Sequence, residues 1–112
     1  MEGVATGANN ESETLRFLVD SGAVYTLLPE KTWKRLGLAP MRSMEFVLAD
    51  GSVVSRGISE CRLSVAGEGG HTPVVLGEPG DDMPLLGVVT LEERALVFDP
   101  FRRELRAMTA RL

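Results

Sequence analysis

The chain is divided into short apolar segments by frequent turn residues, and this pattern restricts the fold more than any other feature. Its 112 residues include 12 glycines and 6 prolines. Short runs of apolar and β-branched residues between turn signals are typical of strands. One such run, residues 14–19, ends at the turn sequence Asp20-Ser21-Gly22. The pattern predicts a mostly β domain with one or two short helices, and it suggests a small closed or partly closed β-barrel.

The same signals predict the individual elements. We predict strands at residues 14–19, 24–28, 45–49, 52–55, 58–66, 73–76, 96–98 and 104–108. Asp50 and Gly51 separate two of these strands, and this dipeptide is a strong hairpin signal. Helices are predicted between Pro29 and Gly37 and at residues 88–93. We also predict a glycine-rich turn at 67–70, an irregular loop at 77–84, and a frayed segment or loose first hairpin at 1–13.

Length and composition indicate one domain spanning residues 1–112 and argue against several kinds of partner. A chain of this length, 44% hydrophobic, can bury a core without crosslinks. Its single cysteine excludes an intrachain disulfide framework and fits a reducing compartment. A net charge of −4 argues against nucleic acid, which binds to clustered basic surfaces. No apolar run is long enough to cross a membrane and residues 1–13 do not resemble a secretion signal, so we expect a cytoplasmic protein with no membrane partner.

Most chemically active side chains have an ordinary structural interpretation. His71 has no histidine or cysteine partner nearby in the sequence, so we interpret it as a solvated residue of the glycine-rich turn. Cys61 lies inside a predicted strand, which favours a small buried apolar residue over a nucleophile. Asp81 and Asp82 lack the spaced oxygen ligands of a calcium loop, and we interpret them as a solvated turn. A modest basic end, interpreted as surface or interface charge, comprises Arg102, Arg103, Arg106 and Arg111.

Asp20 is the strongest candidate for catalysis. It follows three apolar residues and therefore lies at the end of a predicted buried strand. Partial burial disfavours the charged form of a carboxyl group, and this makes the group useful for proton transfer. Ser21 offers a hydroxyl, and Gly22 permits close backbone approach. The alternative is an ordinary β-turn, because an Asp-Ser/Thr-Gly triplet is expected by chance in roughly one chain in twenty of this length.

Three segments together resemble the retropepsin-like aspartic proteases. FLVDSGAVYTLLPE, at residues 17–30, resembles the active-site segment of that family, with its apolar residues before Asp-Ser/Thr-Gly-Ala, then a strand and a short helix. PLLGVVTLEERALVFDP, at residues 84–100, resembles the second hallmark, an apolar-apolar-Gly segment that passes near the catalytic loop and leads into a helix. LADGS, at residues 48–52, lies between them, where the family has its flap hairpin. The resemblance extends over residues 17–108 and is greatest to the short single-domain bacterial members.

The resemblance implies an endopeptidase that works as a homodimer without metal or other cofactor. Peptide hydrolysis by aspartic proteases needs two carboxylates that share a proton, and one chain supplies only Asp20, so a second copy must supply the other. An extended peptide substrate would lie under the flap by strand addition. The family pattern gives Ser21 a bracing hydrogen bond across the dimer. It further assigns active-site support to Gly22, Ala23, Leu85, Leu86 and Gly87, and a flap role to Leu48, Ala49, Asp50, Gly51, Ser52 and Val53.

The sequence departs from the retroviral pattern at two sites. Where retroviral members have an acidic residue paired with an arginine, this chain has Val24 and Val88, and we expect an apolar contact between them. The flap region has only Gly51 and Gly57 instead of a glycine-rich run. Two alternatives therefore stand beside the enzyme: a catalytically inactive dimeric binding or assembly module with the same fold, and an unrelated small barrel with a chance triplet.

Overall fold

The computed structural model describes residues 1–20 and 22–109, and these residues contain ten strands and two short helices. In chain order they are β1 (Glu2–Thr6), β2 (Ser12–Arg16), β3 (Leu18–Val19), β4 (Thr26–Leu28), α1 (Glu30–Arg35), β5 (Arg42–Val47), β6 (Val53–Val65), β7 (Glu68–Leu76), β8 (Leu85–Leu86), α2 (Val88–Glu93), β9 (Leu96–Asp99) and β10 (Glu104–Ala107). The mostly β composition with two short helices is confirmed.

Most of the strands belong to one sheet that folds back on itself. Its order is β2-β1-β6-β7-β4-β8-β3, with β5 paired to β6, while β9 and β10 form a separate hairpin. The two ends of this path, β2 and β3, are consecutive in the sequence and are separated only by the buried residue Phe17. Within residues 1–20 and 22–109, however, the strand pairing follows an open path, so the closed barrel of the prediction is not found there.

Alternation along the long strands produces the core. In β6, Cys61, Leu63 and Val65 are at most 3% exposed, whereas the residues between them face outward or are half-buried. The core is completed by Leu28 of β4, by Leu36 immediately after α1 and by Leu86 of β8. The core thus includes side chains of β4, which follows the Asp20 turn, and of β8, which is hydrogen-bonded to it.

Several predicted boundaries were wrong because tertiary contacts override local signals. β6 is one strand of 13 residues, whereas two separate strands were predicted at 52–55 and 58–66, on either side of Gly57. A Cβ at this position would lie 2.9 Å from the Cβ of Pro40, so the glycine allows a close approach inside a strand. The predicted turn at 67–70 is shorter, since Glu68 already begins β7. His71 consequently lies exposed on β7 and not in a turn.

Other local predictions were confirmed. Residues 1–13 contribute to a first hairpin, in which β1 pairs with β2 from Glu2↔Arg16 to Thr6↔Ser12. The 77–84 segment is an irregular loop. α1 follows Pro29 and is succeeded by Gly37, which has the positive φ of 69° typical of a helix terminator. In the part of the chain that the structure describes, neither helix has the length and apolarity needed to cross a bilayer.

Candidate active site

The two segments that resemble the protease motifs, residues 17–30 and 84–100, lie next to each other in the sheet. β8 lies between β3 and β4. It runs parallel to β3, with Leu18 opposite Leu85 and Val19 opposite Leu86, and antiparallel to β4, with Leu27 opposite Leu85. This insertion brings Leu85 and Leu86, predicted to support the active site, next to the strand that leads into Asp20.

Asp20 begins a tight turn directly after β3. Its side chain is half-buried, and its backbone N–H donates to the carbonyl of Leu86 at 3.4 Å. Its carboxylate oxygen Oδ1 accepts the N–H of Gly22 at 2.9 Å, and its carbonyl accepts the N–H of Ala23 at 3.0 Å. These bonds fix the turn and orient one carboxylate oxygen. Ser21, predicted as a brace, lies outside the described residues.

The start of α2 is hydrogen-bonded to the segment after the Asp20 turn. The N–H of Val88 donates to the carbonyl of Ala23 at 2.9 Å, and the N–H of Val89 donates to that of Val24 at 2.9 Å. The backbones of Val24 and Val88, the two residues that depart from the retroviral pattern, are therefore adjacent. The side chain of Val24 is 58% exposed, and its expected apolar contact with Val88 stays a prediction.

Gly87 is packed against the backbone of the neighbouring segment. A Cβ at this position would lie 2.3 Å from the carbonyl carbon of Tyr25 and 2.7 Å from the amide nitrogen of Thr26. Such distances are far inside van der Waals contact, and both partners are backbone atoms that cannot rotate away. Gly87 is thus the residue that lets the second motif approach the first.

A chain of buried hydroxyl groups lies behind the site, and the sequence analysis missed it. The hydroxyls of Thr26 and Thr90 are 2.7 Å apart, and those of Thr90 and Thr72 are 2.8 Å apart. Thr72 also donates to the carboxylate of Glu93 at 2.7 Å, while Thr26 accepts the N–H of Gly87 at 3.1 Å. Threonine inside a strand is also explained by β-propensity alone, so the sequence held no specific signal of this network.

The predicted flap region is a hairpin formed by β5 and β6. The turn between Val47 and its partner Val53 has five residues, with the N–H of Leu48 donating to the carbonyl of Ser52 at 2.8 Å. Asp50 caps this turn, and the hydrogen bonds from the hydroxyl and N–H of Ser52 lower the pKa of its carboxyl group. Val47, Leu48 and Val53 are 73%, 46% and 57% exposed, so the hairpin presents apolar side chains to its surroundings.

An aromatic contact connects this hairpin with the Asp20 loop. The rings of Tyr25 and Phe46 are arranged edge to face, with centroids 6.5 Å apart and an angle of 87° between the planes. Such pairs stabilise a structure by about 0.5–1.5 kcal/mol beyond their buried area. The position of the β5–β6 hairpin is therefore coupled to the segment that follows Asp20.

The carboxylate of Asp81 is held by hydrogen bonds from the protein, which corrects the prediction of a solvated turn for this residue. Its carboxylate accepts hydrogen bonds from Nε of Arg56 and from the N–H of Glu78, both at 2.8 Å. Burial by itself raises the pKa of Asp81, but these two bonds and the charge of Arg56 lower it below its ordinary value. Asp82 is exposed, as predicted. Both carboxylates lie at a cleft of about 400 Å³ that also contains Leu27 and Leu85.

Cys61 and His71 take no part in the Asp20 site. Cys61 is 3% exposed, which confirms the prediction of a buried residue. Burial raises the pKa of its thiol to about 11, so we expect the thiol to be unreactive in the folded protein. The described residues contain no group of three or more His, Cys, Asp or Glu side chains arranged to hold a metal ion.

Comparison with known protein families shows to which family the chain belongs. The model of the family described as gag-polyprotein putative aspartyl protease matches residues 5–93. The chain belongs to this family. The match includes Asp20, the β5–β6 hairpin and Gly87, and it confirms the predicted retropepsin-like resemblance while excluding an unrelated barrel with a chance triplet.

Two solved structures have a similar fold. The protease of simian foamy virus (mac) is 20% identical with a TM-score of 0.56, over 82% of this chain and 92% of the viral chain. The retroviral protease-like domain of Ddi1 from Leishmania major is 18% identical with a TM-score of 0.55, over 96% of this chain and 87% of that domain. A search of the curated proteins found no match.

Proposed function

We propose that this chain, acting as a single protease domain, is an aspartic endopeptidase that cleaves extended peptides as a homodimer. The observation that carries the proposal is the position of Asp20: it follows β3, its turn is fixed by Leu86 and Gly22, and its segment matches an aspartyl protease family. No metal or other cofactor enters the proposed reaction.

The proposed chemistry requires a second copy of the chain. One carboxylate must accept a proton from the attacking water while the other donates a proton to the carbonyl oxygen of the scissile bond. A symmetric dimer that joins two Asp20 side chains at its axis provides both groups. Two carboxylates so close cannot both ionise easily, so the active form holds one shared proton.

A mainly apolar, partly exposed cleft near Asp20 supports this dimer. Val19, Val88, Leu96, Val97 and Met108 line one cleft of about 380 Å³ beside the Asp20 strand. Val97 is 40% exposed and Met108 is 36% exposed. Exposed apolar side chains such as those of Val97 and Met108 are often covered in protein–protein contacts, and a partner that fills this cleft would lie close to Asp20.

The β5–β6 hairpin supports the proposed peptide substrate. β5 is paired on one side only among the described strands, and its tip carries exposed apolar side chains. An extended peptide that binds as an added strand needs unpaired backbone groups and apolar contacts for its side chains. We propose residues 48–53 as the flap that closes over such a peptide.

The substitution Asp20→Asn tests the proposal. Asn preserves the shape of the side chain but cannot exchange the proton, so cleavage of a casein or peptide-library substrate should be lost while the fold is retained. Glu68→Gln removes one exposed negative charge elsewhere and should leave cleavage unchanged. A statine-type inhibitor of aspartic proteases should block the wild-type protein.

The outcomes separate the candidate functions. Near-normal cleavage by the purified Asp20→Asn protein refutes the proposed mechanism. A folded wild-type dimer that cleaves nothing in a broad peptide library supports instead the inactive binding or assembly module. Sedimentation of the same samples reports whether a dimer is present in each case.

A further inference from the structure

We propose that Thr26, Thr90, Thr72 and Glu93 form a directional hydrogen-bond chain that positions the Asp20 turn through Gly87. This inference rests on the proposed aspartic protease function and assigns positioning residues to it. Thr26 lies in the first of the two motif segments and Thr90 and Glu93 lie in the second, but the resemblance assigns no catalytic, supporting or flap role to any of the four residues. Their role follows from the hydrogen-bond distances and from the fact that each hydroxyl group has only one proton to donate.

The direction of the chain is determined at Glu93. A carboxylate can only accept, so the hydroxyl of Thr72 donates to Glu93 at 2.7 Å. The carbonyl of Pro73 is a competing acceptor at 3.5 Å, too far to hold the Thr72 proton against the carboxylate. Having used its one proton, Thr72 must accept from Thr90.

The remaining bonds then follow in order. Thr90 donates to Thr72 at 2.8 Å and therefore accepts from Thr26 at 2.7 Å. Thr26, whose proton is used in that bond, accepts the N–H of Gly87 at 3.1 Å. Each hydroxyl thus donates once and accepts once, and the chain leads from the Gly87 backbone to the Glu93 carboxylate.

Burial makes this chain necessary. Thr26 and Thr90 are 0% exposed and Thr72 is 1% exposed, so water cannot replace a missing partner. Within the described residues no buried side-chain polar atom lacks a hydrogen-bond partner. Three valines could fill the same space, but they would leave the N–H of buried Gly87 without an acceptor. A buried donor without a partner is unfavourable, whereas removing both partners together is nearly neutral.

Gly87 transmits this constraint to Asp20. The preceding residue, Leu86, accepts the N–H of Asp20, and the following residue, Val88, donates to Ala23. A Gly87 that loses its acceptor must shift to find another, and both neighbours shift with it. The expected consequence is a displaced Asp20 carboxylate and a slower chemical step, with less effect on peptide binding at the flap.

Matched substitutions of Thr26 test the inference. Thr26→Val keeps the shape and removes the acceptor, whereas Thr26→Ser keeps the hydroxyl. We expect Thr26→Val to lower kcat about tenfold and to change KM less than about twofold. Thr26→Ser should retain most of the wild-type kcat. Thr14→Val makes the same chemical change at an exposed strand position and should have no effect.

The far end of the chain provides a second comparison. In Glu93→Gln the amide oxygen still accepts the Thr72 proton, whereas Glu93→Leu removes the acceptor. Glu93→Gln should therefore retain more activity than Glu93→Leu. Equal kcat values for Thr26→Val and the wild type, or no difference between Thr26→Val and Thr26→Ser, would overturn the inference.

Hydrogen exchange separates this inference from the proposed function. The Gly87 amide should exchange at least about tenfold faster in Thr26→Val than in Thr26→Ser, whether or not the protein cleaves peptides. A wild-type protein without cleavage activity refutes the proposed function, and the Gly87 exchange rates then still decide whether the chain braces the turn. Unchanged Gly87 exchange refutes the brace itself.

Discussion

Replacing Gly87 with alanine should destabilise the protein for steric reasons alone. Its φ of −92° and ψ of 165° are accessible to any residue, so backbone strain does not require glycine there. The added Cβ would lie 2.3 Å from the carbonyl carbon of Tyr25, while ordinary contact begins at 3.4 Å. The segment around Gly87 and the start of β4 would therefore have to separate by about 1 Å.

That separation has a calculable cost. It would lengthen the bond from Gly87 to Thr26, now 3.1 Å, and the bond from Val88 to Ala23, now 2.9 Å, beyond hydrogen-bonding distance. Two lost hydrogen bonds at about 1 kcal/mol each, together with about 1–3 kcal/mol for overpacking, give an expected loss of about 3–5 kcal/mol in the free energy of unfolding.

Urea denaturation followed by the fluorescence of Trp33 measures this loss. Trp33 is the one tryptophan in the sequence, and its indole N–H donates to the carbonyl of Gly77 at 2.8 Å, so its environment changes on unfolding. Protein concentration must be held constant, because dimerisation adds to apparent stability. Gly51→Ala is the control, since no atom lies within 4 Å of its added Cβ and only the positive φ of 85° opposes it. If Gly87→Ala unfolds at the wild-type urea concentration, the steric argument is wrong.

Two further predictions concern ionisable groups. Because the pKa of Asp81 is lowered in the folded state, its bond with Arg56 should stabilise the fold above pH 3.8, the ordinary pKa, and this stabilisation should be lost as the pH falls below it. In urea denaturation from about pH 5 to about pH 3, the free energy of unfolding should therefore decline less in Arg56→Met than in the wild type. Because burial raises the pKa of Cys61 from 9.0 to about 11, the native thiol should resist iodoacetamide at about pH 8 and react rapidly in urea, and stability should fall as the pH rises from 9.0 to about 11. Rapid labelling of the native protein would contradict the buried position.

Local sequence signals predicted the elements whose geometry is determined by neighbouring residues. The helix between Pro29 and Gly37 and the hairpin at Asp50-Gly51 depend on backbone preferences of a few residues, and both are present. The continuity of β6 could not be predicted, because the reason for Gly57 is the packing of Pro40 from another segment.

The candidate site was predictable to the extent that it follows motifs. The approach of the second motif to the Asp20 turn was expected from the resemblance, and the structure contains it in the hydrogen bond from Asp20 to Leu86. The partners of Arg94 carried no such signal: this buried arginine, 9% exposed, donates to the backbone carbonyls of Leu63, Gly70 and His71. Contacts between side chains and distant carbonyls depend on the folded topology, as do those of the threonine chain.

The insertion of β8 between β3 and β4 has a consequence for the order of folding. β6 and β7 are joined by a two-residue turn, Ala66 and Gly67, and can pair as soon as both exist. Gly87 and Thr26, in contrast, are 61 positions apart, and such distant closures are slow. We expect pulsed hydrogen exchange during refolding to protect the β6–β7 amides before that of Asp20, and simultaneous protection would argue against this order. During synthesis on a ribosome, the N–H of Asp20 could bond to the carbonyl of Leu86 only after the residues between them had emerged.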